Sequence, residues 1–158
     1  MTNDERNPKL EARNSKQIQG LNLSAGGGED IRLASKAMDI RNLHEVKAFR
    51  TKDESEIREL LAHRNSVIRN QSLAEARLEV GSSTQEHYHP KAEEIYYITH
   101  GTGRMRIEHE TREVKAGDAI AIPPGKRHKL WNTGTETLRL LCCCAPGYED
   151  ADTVMTEA

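Results

Sequence analysis

The sequence predicts an all-β fold in which many short strands form a sandwich or barrel. Between residues 74 and 144, apolar and polar side chains alternate over short segments, the pattern of strands with one buried face. Glycine, proline, asparagine and aspartate recur between these segments as turn signals. The chain has 158 residues, which is enough for one domain with its own core and too few for two.

The two ends of the chain are predicted to lie outside this domain. Residues 1–42 are rich in Asn, Lys, Glu and Ser and contain no aromatic residue. Such a segment buries too little apolar surface to offset the entropy of ordering, so we expect a mostly disordered N-terminal tail. A single barrel domain is expected over residues 43–148, followed by a C-terminal tail over residues 149–158.

The first part of the domain contains two short segments and one regular strand. A strand is predicted over residues 46–49, and residues 53–55 are expected to form a polar turn. Residues 56–62 fit either one face of a helix or a short strand, and we prefer the strand because all later segments are β. Apolar and charged residues alternate strictly over residues 74–80, which predicts a half-buried strand.

Further strands are predicted by the same alternation after this point. They cover residues 94–98, 104–108, 119–122, 128–132 and 138–144. On the last of these, Cys142 and Cys144 are expected to face the barrel interior and Cys143 the outside. Buried free cysteines usually behave as small apolar side chains, so we expect packing rather than redox chemistry from them.

Four side chains suited to a divalent transition metal recur within these segments, namely His87, His89, Glu94 and His128. His87 and His89 are two residues apart, so on a strand both imidazoles project from one face, about 6–7 Å apart. Glu94 follows after room for a turn, and His128 arrives on a later strand. Unrelated surface or core histidines are the alternative explanation, and the number of coinciding spacings favours a metal site.

The residues around these side chains form two blocks that resemble the two signature motifs of the cupin superfamily. The blocks are Gly81-x5-His87-x-His89-x4-Glu94-x6-Gly101 and Gly117-x5-Pro123-x-Gly125-x2-His128-x3-Asn132. The resemblance covers about residues 71–146 and implies a double-stranded β-helix, a jelly-roll barrel with a metal inside. It implies His87, His89, Glu94 and His128 as the ligands. Glu93 is a rival carboxylate, and the six residues before Gly101 favour Glu94.

Strand parity indicates which side chains surround the metal. Tyr96 shares a face with Glu94, and we take it as the candidate catalytic residue, a general acid/base or a hydrogen-bond donor. An aromatic residue that only fills the barrel is the alternative for Tyr96. The remaining candidates for the substrate pocket are Gln85, Met105, Ile107, Leu130, Leu140 and Cys142. Asn132 is expected to brace the turn that follows His128.

A metal with open coordination positions indicates an enzyme that acts on a small organic molecule. The expected cofactor is one divalent transition metal, with Fe²⁺ or Mn²⁺ favoured and Ni²⁺, Co²⁺ or Zn²⁺ as alternatives. A dioxygenase-type oxidoreductase is the first hypothesis. The second is a non-oxidative isomerase or lyase that uses the metal as a Lewis acid, similar to sugar isomerase-like cupins or dimethylsulfoniopropionate lyases. A small-molecule-binding cupin without turnover is the third.

The composition argues against several other classes of protein. The chain has 23 basic and 25 acidic residues, a net charge of −2, and no basic stripe for nucleic acid. No apolar run approaches the roughly 20 residues of a membrane helix. The polar start of the chain shows no secretory signal, so we expect a cytoplasmic protein with no membrane partner. The cupin resemblance implies a homodimer, and Leu141 and Cys143 lie on the strand face available for it.

Overall fold

A computed structural model of the protein describes residues 38–157. In this range eleven strands form two antiparallel sheets that enclose a jelly-roll barrel, which confirms the predicted all-β double-stranded β-helix. The strands are β1 (Phe49–Arg50), β2 (Glu56–Leu61), β3 (Ser72–Leu78), β4 (His87–Tyr88), β5 (Glu93–His100), β6 (Thr102–Ile107), β7 (Glu110–Lys115), β8 (Ala119–Ile122), β9 (His128–Asn132), β10 (Leu138–Ala145) and β11 (Val154–Met155). Most of the predicted N-terminal tail, residues 1–37, lies outside the described residues. No helix within residues 38–157 is long and apolar enough to cross a membrane.

The order of the strands brings the candidate metal ligands together from both sheets. The first sheet has the order β1-β2-β3-β10-β5-β8, and the second has the order β11-β4-β9-β6-β7. Glu94 lies on β5 in the first sheet. His87 on β4 and His128 on β9 are direct partners in the second sheet. The site is therefore assembled across the interior of the barrel rather than along one strand.

The core lies between the two sheets and follows the predicted alternation. Along β5, residues at even positions from 94 to 98 are buried and their neighbours are exposed. Along β10 the buried residues are those at positions 138, 140, 142 and 144, so Cys142 and Cys144 face inward as predicted. Ile98, Leu130 and Leu138 are fully buried at the centre of the apolar cluster. On the outer face of the first sheet, Ile95 and Tyr97 are exposed near the half-buried Leu141 and Cys143.

The Asn132 side chain braces the turn after β9, as expected from the sequence. Its amide nitrogen donates to the carbonyl oxygens of Leu78 and Glu136, at 2.9 and 2.8 Å. Its amide oxygen accepts a hydrogen bond from the Gly134 backbone N–H at 3.0 Å. These bonds connect the end of β9 to β3 and fix the direction in which the chain leaves the strand that carries His128.

Two segments differ from the sequence prediction. The strand predicted over residues 46–49 begins only at Phe49, because Asn42 caps a short 3₁₀ turn at Leu43–Glu45 by accepting a hydrogen bond from the His44 N–H. Residues 149–157, predicted as a tail, instead contain a 3₁₀ turn at Asp150–Asp152 and strand β11, which pairs with β4. The preferred strand at residues 56–62 is present as β2.

The alternation on β10 predicts that Leu140→Ala strongly destabilises the protein. Leu140 is 1% exposed within the core cluster. Its truncation removes buried apolar contacts and leaves a cavity, so we expect a loss of about 2–5 kcal/mol in the free energy of unfolding. Urea denaturation followed by circular dichroism measures this loss. The control is Ile95→Ala, because Ile95 is 48% exposed and should cost far less. Equal losses in the two variants would contradict the assignment of the two sheet faces.

Candidate metal centre

Three histidines and one glutamate meet inside the barrel at the positions predicted from the sequence. One ligand atom from each of His87, His89, Glu94 and His128 lies within 4.8 Å of the others. The Nε2 atoms of His89 and His128 are each 3.4 Å from Oε2 of Glu94. All four residues are buried, whereas the rival carboxylate Glu93 is exposed. This donor set suits a divalent transition metal.

Backbone carbonyl groups hold the three imidazole rings in the orientation that a metal requires. Nδ1 of His87 lies 2.8 Å from the Gln85 carbonyl, and Nδ1 of His128 lies 3.0 Å from the Lys126 carbonyl. Nδ1 of His89 lies 3.2 Å from the carbonyl of Asp152. A carbonyl oxygen only accepts, so each Nδ1 is the donor. In the neutral rings the lone pairs therefore lie on Nε2 and point into the cluster.

Two buried atoms of the cluster have no hydrogen-bond partner within the described residues. They are Oε2 of Glu94 and Nε2 of His128. The other oxygen of Glu94, Oε1, accepts a hydrogen bond from the thiol of Cys144 at 3.4 Å. Buried polar atoms without a partner are rare and call for an explanation. A divalent cation among the four ligand atoms would supply it, so these residues fit a metal.

A metal binds an ionised carboxylate and a neutral imidazole, and the electrostatics of the cluster favour these forms for Glu94 and His87. Burial raises the pKa of Glu94, but the neighbouring His128 and His89 outweigh this effect and lower it to about 2. Burial lowers the pKa of His87, which keeps that ring neutral. The pKa of His89 is raised, because the Glu94 carboxylate outweighs the opposing effect of burial. Because a metal binds the neutral imidazole, the raised pKa of His89 makes metal binding weaker as the pH falls.

A cavity of about 50 Å³ adjoins the ligands. The candidate catalytic residue Tyr96 lines it, together with three of the six predicted pocket residues, Leu130, Leu140 and Cys142. The other three, Gln85, Met105 and Ile107, do not. Met105 and Ile107 line a separate groove between β6, β7 and β8. Strand parity correctly gives their face but not their depth along the barrel. Gln85 precedes β4 and contributes its backbone, which bonds His87 and Asp53.

Tyr96 lies deep in the barrel beside the metal ligands. Its ring centroid is 5.8 Å from that of His128, and its side chain is almost fully buried. The hydroxyl has no hydrogen-bond partner within residues 38–157 and belongs to a residue that lines the cavity. Burial raises the pKa of this phenol well above its usual value. In the protein without metal, Tyr96 is therefore a hydrogen-bond donor rather than a base.

Several polar side chains that were not predicted as site residues also line the cavity, among them Asp53 and Tyr148. Asp53 lies in the turn between β1 and β2 and is 7% exposed. Tyr148 follows β10, and its ring centroid is 6.0 Å from that of His89. Its hydroxyl is buried without a partner, and burial raises its pKa to about 12. No sequence signal identifies either residue, because both lie in irregular segments whose position depends on the packed fold.

The C-terminal segment completes the environment of the site. The carbonyl of Asp152 contacts Nδ1 of His89, and its carboxylate accepts from the N–H groups of Lys91 and Ala92 at 3.3 and 3.0 Å. Thr153 places its hydroxyl 3.5 Å from the same Nδ1. The segment predicted as a tail thus orients one of the ligands.

Comparison with known proteins agrees with this fold. The family described as Cupin domain matches residues 74–144, and the chain belongs to the cupin superfamily. The protein MJ1618 of Methanocaldococcus jannaschii is 48% identical over 112 residues, which cover 71% of this chain and 90% of that protein.

Solved structures share the same architecture. A structure from Thermotoga maritima, described as a predicted oxalate decarboxylase, is 27% identical with a TM-score of 0.62 and covers 68% of this chain and 99% of its own. Streptomyces Pac13, described as a nucleoside dehydratase, has a TM-score of 0.63 at 17% identity and covers 77% of this chain and 92% of its own. At that identity, the second likeness concerns the fold alone.

Replacement of His128 by Ala is expected to abolish stoichiometric metal binding. His128 is fully buried and supplies one of the unpartnered ligand atoms, so no other side chain takes its place. Elemental analysis of the dialysed protein should show a loss of at least about tenfold in bound metal. The control is His100→Ala, since His100 is half-exposed and pairs with Glu136 at 3.1 Å. Unchanged metal content in His128→Ala would exclude this site.

Replacement of Asp152 by Ala is expected to weaken metal binding without removing a ligand. Loss of the carboxylate frees the segment whose carbonyl orients His89, and supporting contacts of this kind typically change metal affinity about 10- to 100-fold. Competition with a chromophoric chelator measures the change. The matched control, Asp150→Ala, removes an exposed carboxylate from the same 3₁₀ turn, whose salt-bridge partner is Lys52. Equal affinities in the two variants would remove Asp152 from the metal centre.

Proposed function

We propose that this cupin is a metal-dependent enzyme that acts on a small organic molecule by non-oxidative chemistry. The observation that carries the proposal is the convergence of three imidazoles and one carboxylate with unpartnered buried atoms beside a cavity. His87, His89, Glu94 and His128 would hold the ion. An ion bound by these four would act as a Lewis acid that polarises a substrate oxygen.

The protein's own side chains provide the proton-transferring groups that such chemistry needs. Tyr96, Tyr148 and Asp53 line the same small cavity, and the buried hydroxyl of Tyr148 has no hydrogen-bond partner in residues 38–157. Tyr96 lies nearest the centre of the barrel and would donate a hydrogen bond to a substrate oxygen. Apolar residues such as Leu130 and Leu140 exclude water from the same space. Protic groups around an electrophilic centre favour isomerisation, elimination or decarboxylation.

The volume of the cavity limits the size of the substrate. At about 50 Å³ it is roughly one third of a cavity of about 150 Å³ that encloses benzene. A molecule of a few non-hydrogen atoms fits this space. The name of the Thermotoga maritima protein, a predicted oxalate decarboxylase, supports the same size class and the same non-oxidative reaction type.

A dioxygenase is the second candidate function. It is favoured by the ligand set itself, because histidine and carboxylate ligands with open positions also suit Fe(II) and its oxygen chemistry. It gives no role to the carboxylate of Asp53 or to the hydroxyl of Tyr148. Binding of a small molecule without turnover is the remaining alternative.

Dependence on oxygen distinguishes these functions. Protein loaded with Mn²⁺ or Fe²⁺ would be incubated with small hydroxy acids, keto acids and sugars, and products followed by NMR spectroscopy in air and under argon. We expect metal-dependent turnover that is equal in both atmospheres. Turnover only in air would establish the dioxygenase, and stoichiometric metal without turnover on any compound would favour the binding protein.

On a substrate found in this way, Tyr96→Phe is expected to lower kcat by about 10²- to 10⁴-fold with unchanged metal content. The substitution removes only the hydroxyl and keeps the buried ring. Tyr97→Phe is the matched control, since Tyr97 is its neighbour on β5 and is 43% exposed on the opposite face. Full activity of Tyr96→Phe would leave Tyr96 as a core residue only.

A further inference from the structure

Asp53 lines the cavity beside the candidate metal ligands, and only one of its two carboxylate oxygens forms hydrogen bonds within the described residues. Oδ1 of Asp53 accepts hydrogen bonds from the hydroxyls of Thr51 and Ser55, at 2.5 and 2.8 Å, and from the Ser55 N–H at 3.3 Å. Oδ2 has no hydrogen-bond partner within the described residues. The backbone carbonyl of Asp53 accepts from the N–H of Gln85 at 2.8 Å, which ties the turn to the chain just before His87. The carboxylate is thus held rigidly, with one oxygen left for a ligand.

No positive side chain balances this carboxylate. Among the residues that line the cavity within the described chain there is no lysine or arginine. Glu59 also lines it, but Arg64 binds both oxygens of that carboxylate, each at 3.0 Å from Nε. Lys52, next to Asp53 in sequence, is paired with Asp150 at 3.0 Å. Asp53 is therefore a carboxylate without a basic partner among the described residues, at a cavity that Glu94 also lines.

Tyr148 supplies the complementary hydrogen-bonding group. Its hydroxyl is buried without a partner, and its backbone N–H donates to the hydroxyl of Ser72 at 2.9 Å, which fixes the residue at the end of β10. A phenol in this position has a proton to donate to an oxygen of a bound molecule. A buried phenol without a partner is costly unless a ligand pairs with it, and Oδ2 of Asp53 offers an acceptor at the same cavity.

We propose that Asp53 and Tyr148 select the substrate of the metal centre, and that this substrate is a small hydroxylated molecule with no more than one negative charge, such as an α-hydroxy acid. The proposal rests on the metal-dependent function proposed above. A hydroxyl of the substrate donates to Oδ2 of Asp53, and another substrate oxygen accepts from the Tyr148 hydroxyl.

The count of charges explains why a dicarboxylate is disfavoured. A divalent ion is neutralised by Glu94 and Asp53 together. A monoanion then leaves a net charge of −1 in the cavity, whereas a dianion such as oxalate leaves −2 and places one carboxylate against Asp53. Like charges in a buried space with no cation nearby repel strongly. The cavity therefore separates this cupin from proteins that bind oxalate, although one structural relative carries that name.

Glycolate and oxalate test the selection, because both are two-carbon chelators and differ in one hydroxymethyl against one carboxylate. The dissociation constants of both for the Mn²⁺-loaded wild-type protein would be measured by calorimetry and compared with those for free Mn²⁺ in the same buffer. We expect the protein to shift the preference toward glycolate by at least about tenfold relative to the free ion. A preference equal to that of the free ion would overturn the proposal without any variant.

Three variants assign the effect to individual side chains. Asp53→Asn should remove most of the shift by strengthening oxalate binding about tenfold or more, whereas Tyr148→Phe should weaken both ligands about three- to tenfold. Glu113→Gln is the control for overall charge, since it removes one negative charge from an exposed residue paired with Arg104. If Asp53→Asn discriminates between glycolate and oxalate as the wild-type protein does, Asp53 has no role in selection. If Tyr148→Phe binds both acids with unchanged affinity, Tyr148 has no role in binding them.

The two proposals fail in different ways. If the wild-type protein binds no metal, the proposed function fails, and the proposed substrate selection by Asp53 and Tyr148 fails with it. If it binds metal stoichiometrically but does not discriminate between the two acids, only the selection fails. Metal content measured after each titration verifies that oxalate has not removed the ion.

Discussion

The rest of the structure depends on the burial of the Glu94 carboxylate among three imidazole rings. An ionised carboxylate taken out of water costs several kcal/mol unless charges or donors compensate it. Here the pKa of Glu94 is nevertheless lowered to about 2, because His128 and His89 outweigh the effect of burial. The thiol of Cys144 holds Oε1 and leaves Oε2 toward the histidines. The barrel interior therefore stabilises an ionised carboxylate that is able to bind a cation.

This constraint explains features that lie at some distance from the ligands. Each imidazole has to present Nε2, so each Nδ1 needs an acceptor behind it, and backbone carbonyls at Gln85, Lys126 and Asp152 provide these. Two of these carbonyls come from the chain next to the ligand itself. The third comes from the C-terminal segment, which β11 attaches to β4. The last residues of the barrel thus serve the metal centre as well as the sheet.

The polar groups around the cavity come from different parts of the fold. Three of the four candidate ligands line the cavity together with the Tyr96 side chain. The turn between β1 and β2 contributes Asp53, and the chain after β10 contributes Tyr148. Segments outside the regular strands thus bring Asp53 and Tyr148 to the cavity, while β4, β5 and β9 carry His87, Glu94 and His128. This division is common where a rigid scaffold positions variable segments.

The sequence by itself determined the fold class, the four candidate ligands and the inward face of β5 and β10. These follow from local rules: alternation along a strand fixes which side chains share a face, and glycines and a proline mark the turns. The choice of Glu94 over Glu93 needed only the motif spacing. The alternation along a strand does not tell how deep in the barrel a side chain lies. Met105 and Ile107 were therefore placed on the correct face of the strand, but they line a different cavity from the one predicted. Only the tertiary structure brought Asp53, Tyr148 and Asp152 to the site, because these residues are held by contacts with Gln85, Ser72 and His89, which are 32 to 76 residues away in sequence.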